Sequence, residues 1–108
     1  MYQYKELYTI DFSDVRYYLQ MHRVIKESLD FPDYYGGNWD AFWDCLTDMV
    51  GRPINIEIIG IETIEKLFPG EEKNLIELLH DLKHHNNDKY SHEIKIEIIR
   101  EGSKKAIE

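Results

Sequence analysis

The chain contains a single cysteine, Cys45, so no internal disulfide can staple it. That usage fits a reducing compartment. It has no apolar run near the ~20 residues needed to cross a bilayer as a helix, which excludes a helical membrane span. Residues 1–6 carry no apolar signal-peptide core, so a cytoplasmic location is expected. Positive charge is also scarce: 13 Lys and Arg against 21 Asp and Glu give a formal net charge of -8. Direct binding to nucleic acid is therefore not expected, because phosphate contacts need clustered Lys and Arg. A basic partner suits the balance better. Internal repeats and low-complexity linkers are lacking too.

What is present is enough for one hydrophobic core. At 108 residues, 43% of them hydrophobic, the chain is neither a disordered segment nor a multidomain protein. A single domain over residues 1–100 is expected, followed by a polar, frayed tail over 101–108. Residues 7–10 form a β-prone run. Over 14–29, Val15, Tyr18, Leu19, Val24, Ile25 and Leu29 recur mostly at helical spacing, with Ser13 or Asp11 as candidate caps. Pro32 ends that pattern, and Asn38 is a candidate cap for a second helix over 39–49. That helix places Trp39, Phe42, Cys45, Leu46 and Met49 on one side, and Gly51 and Pro53 end it. A strand is expected at 54–59, a short helix at 62–68 and a longer one at 71–84, with Leu75, Leu78, Leu79 and Leu82 facing inward. A turn at 85–88 precedes a last strand at 93–99. Three strands separated by helices imply an α/β fold with a parallel sheet, since parallel strands need crossover connections.

The informative stretch is 30–49. It holds Asp30, Asp33, Asp40, Asp44 and Asp48, no Lys or Arg, and the aromatics Phe31, Tyr34, Tyr35, Trp39, Phe42 and Trp43. Asp40, Asp44 and Asp48 fall at i, i+4 and i+8 on the second helix. Like charges at that spacing cost ~0.2–0.5 kcal/mol per pair. Asp40 suits the positive end of the helix dipole and Asp48 opposes the negative end. Such a stripe could be an ordinary solvated face. Three features favour a binding face: no cation in the segment neutralises it, Trp43 lies beside Asp44, and the preceding loop offers Tyr34, Tyr35 and Gly36-Gly37.

The run Pro32-Asp33-Tyr34-Tyr35-Gly36-Gly37-Asn38-Trp39-Asp40-Ala41-Phe42-Trp43-Asp44-Cys45-Leu46-Thr47 resembles the signature of the barstar family. That signature reads Pro, acid, Tyr-Tyr-Gly, any residue, Asn, an apolar residue, then Asp-Ala-Leu-Trp-Asp-Cys-Leu-Thr. Phe42 replaces its Leu, and Trp39 fills the variable apolar position. The resemblance implies a barstar-like fold, a three-stranded parallel sheet packed by about four helices. It also implies an intracellular inhibitor, an antitoxin-like immunity protein, of a basic barnase-type secreted ribonuclease. Loop and second helix would enter the enzyme's cleft in a 1:1 complex.

By position, Asp44 would be the main anchor, replacing substrate phosphate against arginines and the catalytic histidine. Asp40 would make a second polar contact, and Tyr34 would stack on that histidine. Tyr35, Gly36, Asn38, Trp39, Trp43, Thr47 and Asp48 would surround them, with Asp81 of the fourth helix helping by a looser alignment. The family's aromatic residue after the helix is Met49 here, Asp48 replaces a small residue, and 84–92 is longer; these differences leave the cognate enzyme open. A binding module for a different basic toxin or regulatory protein is the alternative.

Other constellations carry less. His80 and His84 stand at i, i+4 with His85 beside them, but spacing fixes no third ligand, so no metal site is expected. Asp40 and Asp44 have no accompanying nucleophile or cofactor motif. Neither a catalytic residue, a cofactor nor a small-molecule substrate is expected. Cys45 has Phe42, Leu46 and Met49 at helical spacing and reads as a buried thiol.

Overall fold

The computed structural model describes residues 5–49, 53–85, 94–100 and 102–107, without the His85 side chain. The elements run β1 (Tyr8–Asp11), α1 (Tyr18–Ser28), α2 (Trp39–Asp48), β2 (Ile54–Ile59), α3 (Ile61–Leu67), α4 (Glu71–His85), β3 (Ile94–Arg100) and β4 (Ser103–Ala106). Gly51, residues 86–88 of the expected turn and Glu93 lie outside the described residues.

The strands form one sheet in the order β1-β2-β3-β4. β1, β2 and β3 are mutually parallel, with Tyr8 opposite Ile56 and Ile56 opposite Ile96. Burial alternates strictly along β2: Ile54, Ile56 and Ile58 are buried, while Asn55, Glu57 and Ile59 are only half-buried. The helices therefore cover one face of the sheet, and the other, carrying Thr9, Asn55, Glu57 and Lys95, stays wet. Parallel sheets are usually covered on both faces. The wet face is why the isoleucine-rich strands alternate with polar residues at all.

Two expectations need correction. The first helix begins about one turn later than the apolar spacing suggests. Asp11 is not its cap; its Oδ1 accepts from the Ser13 amide at 2.9 Å and turns the chain before the helix. The N-cap is Tyr17 in extended conformation, and the Gln20 side chain accepts from the Arg16 amide at 2.8 Å. The buried face consequently runs through Met21, His22, Ile25 and Leu29, whereas Leu19 is 66% exposed.

The second correction concerns the tail and the strand count. The tail is polar, but it is not frayed: Ser103–Ala106 pairs antiparallel with β3 as a fourth strand. Its side chains are exposed, so it lacks the apolar alternation that marks a strand in sequence. What holds it is Ile107, 7% exposed, whose amide donates to Ile96 O at 2.8 Å. Lys83 Nζ donates to Ile107 O at 2.6 Å, tying α4 to this edge.

Gly60 joins β2 to α3 with φ of 77°, the left-handed region. A Cβ there would stand 2.6 Å from the Ser13 amide nitrogen, so the β1–α1 connection can approach only a glycine.

Candidate functional site

α2 starts where Asn38 caps it: the extended residue's Oδ1 accepts from the Ala41 amide at 2.8 Å. Phe42, Cys45 and Leu46 are buried, fixing which side of the helix faces the core. The opposite side carries the aspartates. Trp39, Asp40, Trp43 and Asp44 of α2, with Leu78, Asp81 and His84 of α4, line an open groove of about 730 Å3. Asp40 and Asp44 are exposed, and Asp81 faces them from the other wall at 66% side-chain exposure. Among the described residues no Lys, Arg or His lies within ion-pair distance of Asp40, Asp44 or Asp48. His80 Nδ1 stands 3.9 Å from Asp81, with the His80 and His84 rings 4.3 Å apart. No group of three metal-ligating side chains converges among the described residues.

Asp48 is not in that groove. Each step of four residues turns a helix by about 40°, so Asp48 is rotated about 80° from Asp40. It lines a second cleft of about 600 Å3 with Asp30, Phe31, Pro32, Asp33, Tyr34, Cys45 and Met49. The stripe thus divides into two acidic clefts flanking α2. In the loop before the helix, the Tyr35 amide donates to Pro32 O at 3.0 Å. Asp33 is compensated by Lys26 at 3.5 Å. Tyr34 projects into solvent at 78% exposure. Tyr35 instead turns inward, its hydroxyl 2.7 Å from His22 Nδ1. Gly36 lies beside a shallow third recess with His22, Arg23, Lys26 and Gly37. Thr47 Oγ1 donates to the Asp44 carbonyl at 3.0 Å. Cys45 is buried, and burial, then Asp48 and Asp44, push its thiol pKa up, which keeps it protonated and inert.

Beneath the loop lies a polar knot that spacing alone did not reveal. His22 is 2% exposed, and its Nε2 has no hydrogen-bond partner among the described residues. Its ring meets Trp39 at 4.7 Å, Tyr18 at 5.3 Å and Tyr35 at 5.9 Å. Glu71, at the start of α4, accepts from Trp39 Nε1 at 2.7 Å and from Asn74 Nδ2 at 3.0 Å. Burial raises the Glu71 pKa, but hydrogen bonds from Trp39, Asn74 and Tyr18 outweigh it, and the carboxyl ends below its ordinary value. The available signal for His22 was a polar residue in phase with Met21, Ile25 and Leu29.

Burial pushes the His22 pKa below its ordinary 6.5, with Glu71 pulling the other way. Its stability contribution is therefore complete above pH about 6.5, where the imidazole is neutral folded or unfolded. It declines as pH falls toward the lower folded-state pKa, because the unfolded chain takes up the proton first. Denaturant unfolding should show the parent losing stability below pH about 6.5, and His22→Gln, which cannot titrate, losing less. Identical pH profiles would contradict a neutral buried imidazole.

Comparison with known proteins identifies the chain's relatives. A family profile described as "Barstar (barnase inhibitor)" matches residues 6–98, from β1 through most of β3. The chain is also similar to a Bacillus subtilis (strain 168) protein named "Putative ribonuclease inhibitor YrdF". The two are 33% identical over 70 residues, which is 65% of this chain and 77% of that protein. The match ends before β4, so the fourth strand stands outside the shared region.

Proposed function

The chain belongs to the barstar family, and from that premise we propose that it is a cytoplasmic inhibitor of a barnase-type secreted ribonuclease. It blocks the active site 1:1 with α2 and the preceding loop. The observation that carries this reading is the groove in which Asp40 and Asp44 face Asp81 with no described cation compensating α2. A ribonuclease cleft must be basic to hold RNA. A carboxylate can replace a phosphate there because both accept paired hydrogen bonds from a guanidinium. Asp44, mid-helix and lining the groove, is the phosphate mimic. Asp40 and Asp81 widen the negative field, and Tyr34 supplies an exposed flat ring for the enzyme's histidine. Trp39 and Trp43 form the aromatic wall, while Asn38 and Thr47 order the helix ends. Tyr35 supports the loop from inside, and Asp48 faces whatever part of the enzyme reaches the second cleft. The chemistry is that of binding, so the chain is an inhibitor rather than an enzyme.

The test is titration of the purified chain into a barnase-type guanyl-specific ribonuclease, following RNA cleavage and heat of binding. Cleavage should end at one equivalent, and association should slow as salt rises, because complementary fields steer the encounter; the barnase–barstar pair is itself a worked example of that principle. If no such ribonuclease is inhibited but another basic protein binds in a salt-sensitive way, the chain is a barstar-fold module for a different toxin or regulator.

A further inference from the structure

We infer that Glu71 is a positioning residue for the inhibitory face: it latches Trp39 across the α2–α4 boundary and so sets the wall of the ribonuclease-facing groove. This rests on the functional reading above. An indole N–H that is partly buried requires an acceptor. For Trp39 that acceptor is Glu71 Oε2 at 2.7 Å, on the other helix. The same oxygen receives Asn74 Nδ2 at 3.0 Å, which fixes the carboxylate within the first turn of α4. The indole ring is further held edge-on by His22 at 4.7 Å and Phe42 at 5.5 Å. Trp39 lines the groove beside Asp40 and Asp44, while Glu71 does not line it.

Two consequences follow from that placement. The indole N–H is already committed, so a partner meets Trp39 through its ring and not through a hydrogen bond. The Glu71 charge, outside the groove wall, acts on the partner through Trp39. The latch depends on the pairing of Trp39 with Glu71.

The experiment uses the full chain with Glu71→Ala, Glu71→Gln, Trp39→Phe and the Glu71→Ala/Trp39→Phe double variant. Thermal unfolding first establishes that each is folded. The Trp39 indole N–H resonance should move in Glu71→Ala and return toward the parent position in Glu71→Gln, which keeps a carbonyl acceptor. Dissociation from the barnase-type ribonuclease should be about tenfold faster in Glu71→Ala, as for loss of a hydrogen bond to a charged group. Glu71→Gln should restore most of the residence time. In the Trp39→Phe background Glu71→Ala should have almost no further effect, since the pair acts as a unit. The salt dependence of association should match the parent.

The inference is overturned if Glu71→Ala leaves dissociation unchanged, or if its effect persists undiminished without the Trp39 N–H. It is also overturned if Glu71→Gln is as weak as Glu71→Ala with a reduced salt slope, which would mean direct contact with the enzyme. A parent chain that inhibits no barnase-type ribonuclease overturns the functional reading and the binding role with it. An indole resonance that stays in place in Glu71→Ala overturns the latch whatever the partner is.

Discussion

Asp44→Ala is expected to leave the fold intact and to weaken inhibition of a barnase-type ribonuclease by a factor of roughly 30 to several thousand. The intact fold follows from the environment of the helix. Asp44 is exposed, and among the described residues its carboxylate makes no ion pair. Its neighbours at i-4 and i+4 are Asp40 and Asp48, like charges whose repulsion costs ~0.2–0.5 kcal/mol per pair. Its removal therefore leaves stability unchanged or slightly raised.

In the complex the balance reverses. A guanidinium that had given up water for Asp44 would be left buried and unpaired, which costs ~2–5 kcal/mol or more, a range for which barnase–barstar is itself a worked example. At 1.4 kcal/mol per decade that range gives the stated factor. Most of the change should appear in the dissociation rate, because one charge among many alters steering little. Inhibition titrations and stopped-flow association, read beside thermal unfolding, check both halves. A variant that inhibits as well as its parent removes Asp44 from the anchor position.

The contrast between α2 and α1 shows which elements are legible in the sequence. The sequence predicts α2 over 39–49 and it spans Trp39–Asp48, because cap, core face and stop signal all agree locally. The sequence predicts β2 over 54–59 and it spans Ile54–Ile59, because a sheet with one wet face makes strand burial alternate. The helix expected over 14–29 begins too early because Val15 is a core residue held in a loop, where helical periodicity has no meaning. β4 has four exposed side chains, and its strand character comes from pairing with β3 alone. The site divides similarly. Asp40, Asp44 and Trp43 were placed together by helix spacing, and Asp81 joins them across the groove only because α4 packs against α2. Asp48 was grouped with them because the drift of about 40° per four residues is invisible in a linear pattern. His22 and Glu71, which support Tyr35 and Trp39 from below, come from two other helices. The phase of His22 with Ile25 and Leu29 marks it as buried, but nothing in the chain's periodicity pairs it with Tyr35 or Trp39 with Glu71.

The same anchoring makes Phe42 a support for the shape of the proposed inhibitory face. It is fully buried, and its ring packs edge-on to Trp39 at 5.5 Å and Phe31 at 6.1 Å. It thus joins the groove wall, α2 and the loop to one core. Phe42→Ala should cost about 4 kcal/mol, the middle of the range for a buried Phe, because the Trp39 ring, fixed on the same helix, and the Phe31 ring, fixed in the preceding loop, cannot both collapse into the space. For a domain of this size that is a large share of the ~5–15 kcal/mol total, and the melting temperature should fall by about 20 °C. Phe42→Leu restores the residue of the family signature and much of the volume, and should lose about 1 kcal/mol. Affinity should follow the same order at a temperature where all three proteins are folded. Trp39 and Tyr35 lose their backing in Phe42→Ala, although every carboxylate of the groove remains. Differential scanning calorimetry with binding titrations at about 15 °C separates the two effects. If Phe42→Ala binds like the parent there, the charges alone suffice and the core beneath α2 only keeps the protein folded.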